Sequence, residues 1–276
     1  LHRLIRRQRQ MCIRDRTIGT GTKYLFFRTD AYNRQSEADN DNNITAVSID
    51  IKAADLALNA AIPTSAAAGK GLALSWTVTN DGQGKATARW YDVVFLSSDD
   101  VLDSGDRTLK SVFHKGGLDA GASYTVDDSV TIPGGLTGTW HIIVAADYYK
   151  YQLEADEENN TFVQVMTLNA PDLNLTVTSN PSVISNGQDL VVSWTVTNEG
   201  SSTADAPWYE RAILSSDEYV GNYDDIEIGR ISQSDPLAAG ESLDRTVSLN
   251  VPWGVVGDYK LFVQVDVWNQ VAESDE

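Results

Sequence analysis

The chain has 276 residues, 42% apolar and 22% charged, and carries a net charge of −18 from 39 acidic against 21 basic side chains. That is a globular balance with room for about two domains, no apolar run reaches the roughly 18 residues of a spanning helix, and an acidic surface repels phosphate backbones, which argues against nucleic acid as a partner. One Cys and three His leave too few groups for zinc, thiol or His-based triad chemistry, so the composition points away from catalysis.

The first sixteen residues, LHRLIRRQRQMCIRDR, stand apart, with six Arg and the single Cys on an otherwise acidic chain. They lack the apolar stretch of a signal peptide. Arg6 to Asp15, RRQRQMCIRD, resembles the translation of a transposase-type sequencing adapter, so residues 1–16 are set aside as an unstructured artefact. Natural sequence is expected to begin near Thr17, inside a longer protein.

From there the chain repeats. Trp76-Thr-Val-Thr-Asn80 returns as Trp194-Thr-Val-Thr-Asn198, Trp90-Tyr91 as Trp208-Tyr209 and Leu96-Ser-Ser-Asp99 as Leu214-Ser-Ser-Asp217, all at an offset of 118. Glu37-x-Asp39-x-x-Asn42-Asn43 matches Glu154-x-Asp156-x-x-Asn159-Asn160, and Glu273-x-Asp275 is the same motif cut short. Internal repetition at a fixed period is read before anything else, because it sets the architecture. Residues 17–52 are expected to be the C-terminal hairpin of one unit, 53–169 a complete unit of about 117 residues, and 170–276 a unit lacking its last strand.

Within a unit the hydrophobic period is two. Leu72, Leu74, Trp76 and Val78 share one face and Ala73, Ser75, Thr77 and Thr79 the other. Strands are predicted over 55–60, 72–79, 88–97, 107–112, 123–132, 138–146 and 161–168, separated by Gly, Asn and Asp clusters. Seven strands in such a length predict an all-β fold of tandem immunoglobulin-like antiparallel sandwiches. Trp76 and Trp194 are read as core anchors, and Asn42-Asn43 and Asn159-Asn160 as hairpin turns, since Asn tolerates positive φ.

A unit opening on (Ala/Pro)-Asp-Leu, followed by SWTVTN, Trp-Tyr-(Asp/Glu), LSSD and Glu-x-Asp-x-x-Asn-Asn, resembles the CARDB domain, a cell-adhesion-related domain found in bacteria. The resemblance covers nearly all of residues 17–276. It implies an immunoglobulin-like sandwich strung in tandem in secreted or surface-attached prokaryotic proteins, and it implies neither a reaction nor a defined ligand.

Three groups of residues are candidates for chemistry. Asp99, Asp100, Asp103 and Asp106, with Asp217, Glu218, Asp224 and Asp225 in the second copy, form acidic loops of the oxygen-rich kind that suits calcium; the alternative is that Asp and Ser there simply build turns. Glu154, Asp156, Glu157 and Glu158, near Asp172, offer a second cation locus, weighed against a solvated turn. Tyr148, Tyr149, Tyr151, Trp253 and Trp268 offer aromatic faces for a sugar, weighed against edge packing. His114 and His141 align with Gln233 and Lys260 and have no ligand-spaced neighbours. The sequons at Asn159 and Asn174 carry little weight. The chain is therefore read as a non-catalytic spacer or adhesion segment of a larger secreted or cell-surface protein, with neighbouring repeats as its partners and other surface proteins or glycans as further candidates. The alternative is an accessory binding module of an extracellular hydrolase. Unclosed strand edges in 17–52 and 170–276 predict self-association.

Overall fold

The computed structural model describes residues 20–39, 41–185 and 187–274; the basic head 1–16 and Asp275 lie outside them. The described chain is all β apart from one short 3-10 turn, and it forms a two-stranded hairpin followed by two sandwiches.

The hairpin pairs β1 (Gly21–Arg28) with β2 (Ile44–Ile51). The first sandwich holds β3 (Leu56–Ala61), β4 (Ser65–Ala67), β5 (Gly71–Asn80), β6 (Trp90–Ser97), β7 (Arg107–His114), β8 (Ser123–Thr131), β9 (Gly138–Ala145) and β10 (Thr161–Asn169). Its two sheets run β3-β5-β8 and β4-β10-β9-β6-β7. The alternation read from sequence is what closes them together: Leu72, Leu74, Trp76 and Val78 are buried on β5, and they meet Trp90, Val94 and Leu96 from β6 and Ile142 and Val144 from β9 in one core. Strand β4 has no sequence signal, being three small residues that add in parallel to the edge of β10.

The second sandwich repeats the plan with β11 (Leu173–Ser179), β12 (Asp189–Asn198), β13 (Trp208–Ser215), β14 (Ile226–Gln233), β15 (Ser242–Asn250) and β16 (Lys260–Gln264), in sheets β11-β12-β15 and β14-β13-β16. Trp194 and Trp208 are fully buried in its core, as Trp76 and Trp90 are in the first. Among the described residues β16 pairs only with β13. A cavity of about 500 Å³ opens beside it, lined by Leu190, Leu214, Val251 and Leu261 among others. Their counterparts Leu72, Leu96, Ile132 and Ile142 are closed over by a core that includes Met166 and Leu168 of β10.

The Asn-Asn pairs are not the hairpin turns. Chain reversal is made earlier, by an Asp and a second residue three positions on, both at positive φ: Asp30 and Asn33, Asp147 and Lys150, Asp266 and Asn269. Each Asp holds the turn with its carboxylate. Asp147 accepts the N–H of Tyr151 at 2.9 Å and of Gln152 at 2.6 Å, Asp266 those of Gln270 and Val271, and Asp30 those of Arg34 and Gln35. Asp and Asn are among the few residues that visit this backbone region readily. Asn159 and Asn160 come at the far end of the excursion, just before β10, where Asn160 is buried.

The sandwiches meet closely. Only residues 170–172 separate β10 from β11. A Cβ at Gly69 or Gly134 would lie 2.9 Å from the Cβ of Ala272, so the loops of the first unit seat on the second through small residues. Lys70 and Asp205 form an ion pair across the junction, half-exposed and therefore worth little.

Candidate functional site

The two acidic loops do not gather their carboxylates. In the first, Asp99 accepts the N–H of Val101 at 2.9 Å, Asp106 that of Asp103 at 2.8 Å, and Asp103 that of Gly105 at 2.6 Å. In the second, Asp217 accepts from Tyr219 N–H and Asn222 Nδ2, Asp224 from Ser216 N–H, and Asp225 from Asn222 N–H at 3.2 Å. Glu218 turns away to pair with Lys260. Among the described residues no group of three or more His, Cys, Asp and Glu is arranged to hold a metal ion. Each loop is thus tied by side-chain bonds to its own backbone.

The Glu-x-Asp segment does something else. Glu154 is 8% exposed, and its Oε2 accepts the N–H of Leu56, 98 residues away, at 2.6 Å. Glu273 does the same to Leu173 at 2.6 Å. The motif is a latch that fastens the last loop of a unit to its first strand. Burial, then the charges of Glu157 and Asp147, push the Glu154 carboxyl up to about 8 against the opposing bond from Leu56. At neutral pH it keeps its proton. Its Oε1 makes no hydrogen bond, and two buried acceptors in the same loop, Glu157 Oε2 and Asn159 Oδ1, also lack a donor; Lys150 Nζ stands 3.4 Å from Glu157 Oε2, an ion pair without hydrogen-bond geometry. Protonation turns one of the two carboxyl oxygens from an acceptor into a donor.

Two further polar devices are absent from the predicted sites. Asn80, buried completely, satisfies its whole amide: Oδ1 accepts from Asp55 and Gly82 N–H and Nδ2 donates to Gly84 and Leu118 carbonyls. Asn198 repeats all four bonds. The signal was available, as both units close an apolar strand on the same Asn.

The second device sits under the core Trp. Trp76 Nε1 donates to Asp92 at 2.9 Å, Tyr124 OH donates to the same oxygen at 2.7 Å, and Trp90 Nε1 donates to Tyr124 OH at 3.0 Å. Burial raises the Asp92 carboxyl despite these donors. In the second unit Glu210 takes that place, bonded to Trp194 and to Arg245 at 3.2 Å. Leu243 replaces Tyr124, and Trp208 Nε1 is left buried with no acceptor. His114 lies stacked between Trp90 and Tyr124, with centroids 4.3 and 4.1 Å away, and burial lowers its pKa. It packs rather than reacts.

The turns at Asp30, Asp147 and Asp266 each display an aromatic ring two residues on. Tyr32, Tyr149 and Trp268 are 82%, 53% and 51% exposed. Trp253, also exposed, instead leans on Gly187, where a Cβ would meet its ring at 2.8 Å.

The family model of the CARDB domain matches residues 53–164 and again 170–276. No curated protein matches the chain. Among solved structures, the CARDB domain of a Pyrococcus furiosus protein in complex with di-metal ions is 15% identical, with 44% of this chain and 97% of that one covered at a TM-score of 0.35. A Listeria innocua beta-glucosidase mutant in complex with laminaribiose is 14% identical, covering 42% of this chain and 16% of its own, at 0.30. A Salmonella alpha-2-macroglobulin mutant is 11% identical, covering 88% and 18%, at 0.33. The chain spans less than a fifth of these last two proteins.

Proposed function

Because the chain belongs to the CARDB family, a non-catalytic family of extracellular type, we propose that it serves as a stiff, non-catalytic spacer and adhesion segment of a larger secreted or cell-surface protein. The junction carries this reading. A three-residue connection and the seating of Ala272 on Gly69 and Gly134 leave little room for one sandwich to swing against the other, which is what a spacer requires and a flexible linker lacks. Among the described residues no helix is long and apolar enough to cross a membrane. The acidic exterior keeps such an array soluble and self-repelling.

Small-angle scattering of the full chain tests the spacer. Wild type is expected to give one narrow interdomain distance. Gly134→Val puts atoms where Ala272 now sits and is expected to broaden or bend the pair while each unit's unfolding transition stays in place. A wild-type profile that already needs a wide ensemble of orientations refutes the reading.

A further inference from the structure

We infer that the outer face of the first sandwich, around Tyr149, is a binding platform for a neutral polysaccharide of equatorially substituted pyranose rings. The face is unusual for an antiparallel sheet, whose solvent side is ordinarily polar. Val93, Phe95 and Ile143 point outward on β6 and β9 yet are 3% exposed or less, because aromatic side chains cover them. Phe113, Tyr91, Tyr149 and Tyr148 form a continuous run with centroids 4.9, 5.9 and 5.0 Å apart. Tyr148 rests on Phe95, and Tyr151 adds a further ring 5.7 Å from Tyr149.

The display is fixed before any ligand arrives. Asp147 pins Tyr151 and Gln152 through their N–H groups, Tyr148 N–H is bonded to the Tyr91 carbonyl at 3.1 Å, and Gln152 Oε1 ties the loop to Thr87 and Ala88. A loop whose backbone is already held in place loses little freedom on binding.

Three observations choose the ligand. The exposed patch is a handful of rings, against the 20–30 residues a side of an ordinary protein interface. They stand at steep angles, 88° between Tyr91 and Tyr149 and 68° between Tyr148 and Tyr149, so a sugar is met one ring at a time, and an exposed tyrosine pairs an aromatic surface with a phenolic hydroxyl, which suits the C–H face and hydroxyl rim of a pyranose. Leu102 packs on the same cluster and brings the acidic loop of Asp99, Asp100 and Asp103 to the rim, so an anionic polymer is repelled. The other two display loops each place a cation against the ring: Arg34 lies 5.6 Å from the Tyr32 centroid and Arg230 5.0 Å from that of Trp268. Among the described residues Tyr149 is the display ring that meets three others, Tyr91, Tyr148 and Tyr151, whereas Trp268 meets Tyr209.

Affinity electrophoresis of the full chain in gels containing hydroxyethylcellulose, laminarin or polygalacturonate tests this. A neutral polymer is expected to retard the chain, Tyr149→Ala to weaken that at least tenfold, Tyr149→Phe to keep most of it, and Trp268→Ala to leave it unchanged. An unchanged unfolding temperature in Tyr149→Ala shows that the platform rather than the fold was lost. No retardation by either neutral polymer, retardation by polygalacturonate alone, or retardation indifferent to Tyr149→Ala overturns the inference. So does self-association that Tyr149→Ala abolishes without any retardation, which assigns the face to a second copy.

Discussion

Glu154→Gln should make the first sandwich more stable in alkali. The carboxyl titrates near 4.5 in an unfolded chain and near 8 in the folded one, so the folded state binds this proton more tightly. The stability it contributes is fully present below pH 4.5 and is lost as pH rises through 8. About three and a half units at ~1.4 kcal/mol each sets a ceiling of ~5 kcal/mol, and at a few degrees per kcal/mol for a unit of this size the loss is on the order of 10 °C. Gln has nearly the same shape as the protonated acid. Its Oε1 accepts the Leu56 N–H, and its Nε2 keeps donor protons where the ionised carboxylate has none. Scanning calorimetry of the full chain at pH 5, 7 and 9 should show the two proteins nearly equal at pH 5 and the variant clearly ahead at pH 9. Asp92 and Asp147 are also raised by burial and lower wild-type stability in the same direction, so the difference between the two proteins isolates Glu154. A variant whose transition falls with pH as steeply as wild type, or lies below it at pH 9, refutes the protonated latch.

The other predictions are smaller. Trp90→Phe removes a bonded N–H and leaves Tyr124 OH short of a donor, whereas Trp208→Phe removes an N–H that has no acceptor; calorimetry should show the first to cost ~1–3 kcal/mol more than the second. Asn80→Ala leaves the Asp55 and Gly82 N–H groups and the Gly84 carbonyl without their partner, while the Leu118 carbonyl keeps its bond from Ala86 N–H, and should lower the first unit's stability by several kcal/mol, more than Asn159→Ala does. A few millimolar calcium, against EDTA, should move the unfolding temperature by less than about a degree, because among the described residues no three carboxylates are arranged to hold a metal ion; a calcium site filled to ten times its Kd would add ~1.4 kcal/mol, and a rise of several degrees with calcium but not with matched NaCl would show that the loops rearrange around the ion. Light scattering should find concentration-dependent association of the full chain through the open edge of β16 and the cavity beside it, and Leu261→Lys should reduce it; a monodisperse monomer at all concentrations contradicts this.

The sandwich was legible in sequence because period-two alternation and repetition act over many residues at once, and a shift of one residue would turn Leu72, Trp76 and Val78 out to water. The predicted strands match β3 and β5 to β10 to within two or three residues. What escaped prediction depends on single atoms or on contacts far apart in the chain. No local pattern says that Glu154 reaches Leu56 across 98 residues, and a Glu in an acidic, Asn-rich run has the composition of a solvated turn. The reversal at Asp147 and Lys150 was hidden for a related reason: Asn-Asn is the stronger positive-φ signal in the segment, yet tertiary packing places the turn earlier and commits Asn159 to Asp55 and the first strand.

Comparing the units separates what the fold needs from what a surface does. The amide of Asn80 and Asn198, the latch of Glu154 and Glu273, and the Asp of the display loop are kept atom for atom in both units. The outer sheet faces diverge. Val93 becomes Arg211, whose Nε is bonded to Gln264 at 2.6 Å; Phe113 becomes Ser232; and Tyr149 becomes Trp268 under Arg230. Inner polar groups are held constant because an orphaned buried donor or acceptor costs ~1–3 kcal/mol, while an outer face is free to change at little cost to stability. A chain built only to hold distance needs no aromatic cluster on one unit and an indole with a guanidinium against it on the other. The difference between the two faces is therefore what the proposed platform on the first sandwich rests on.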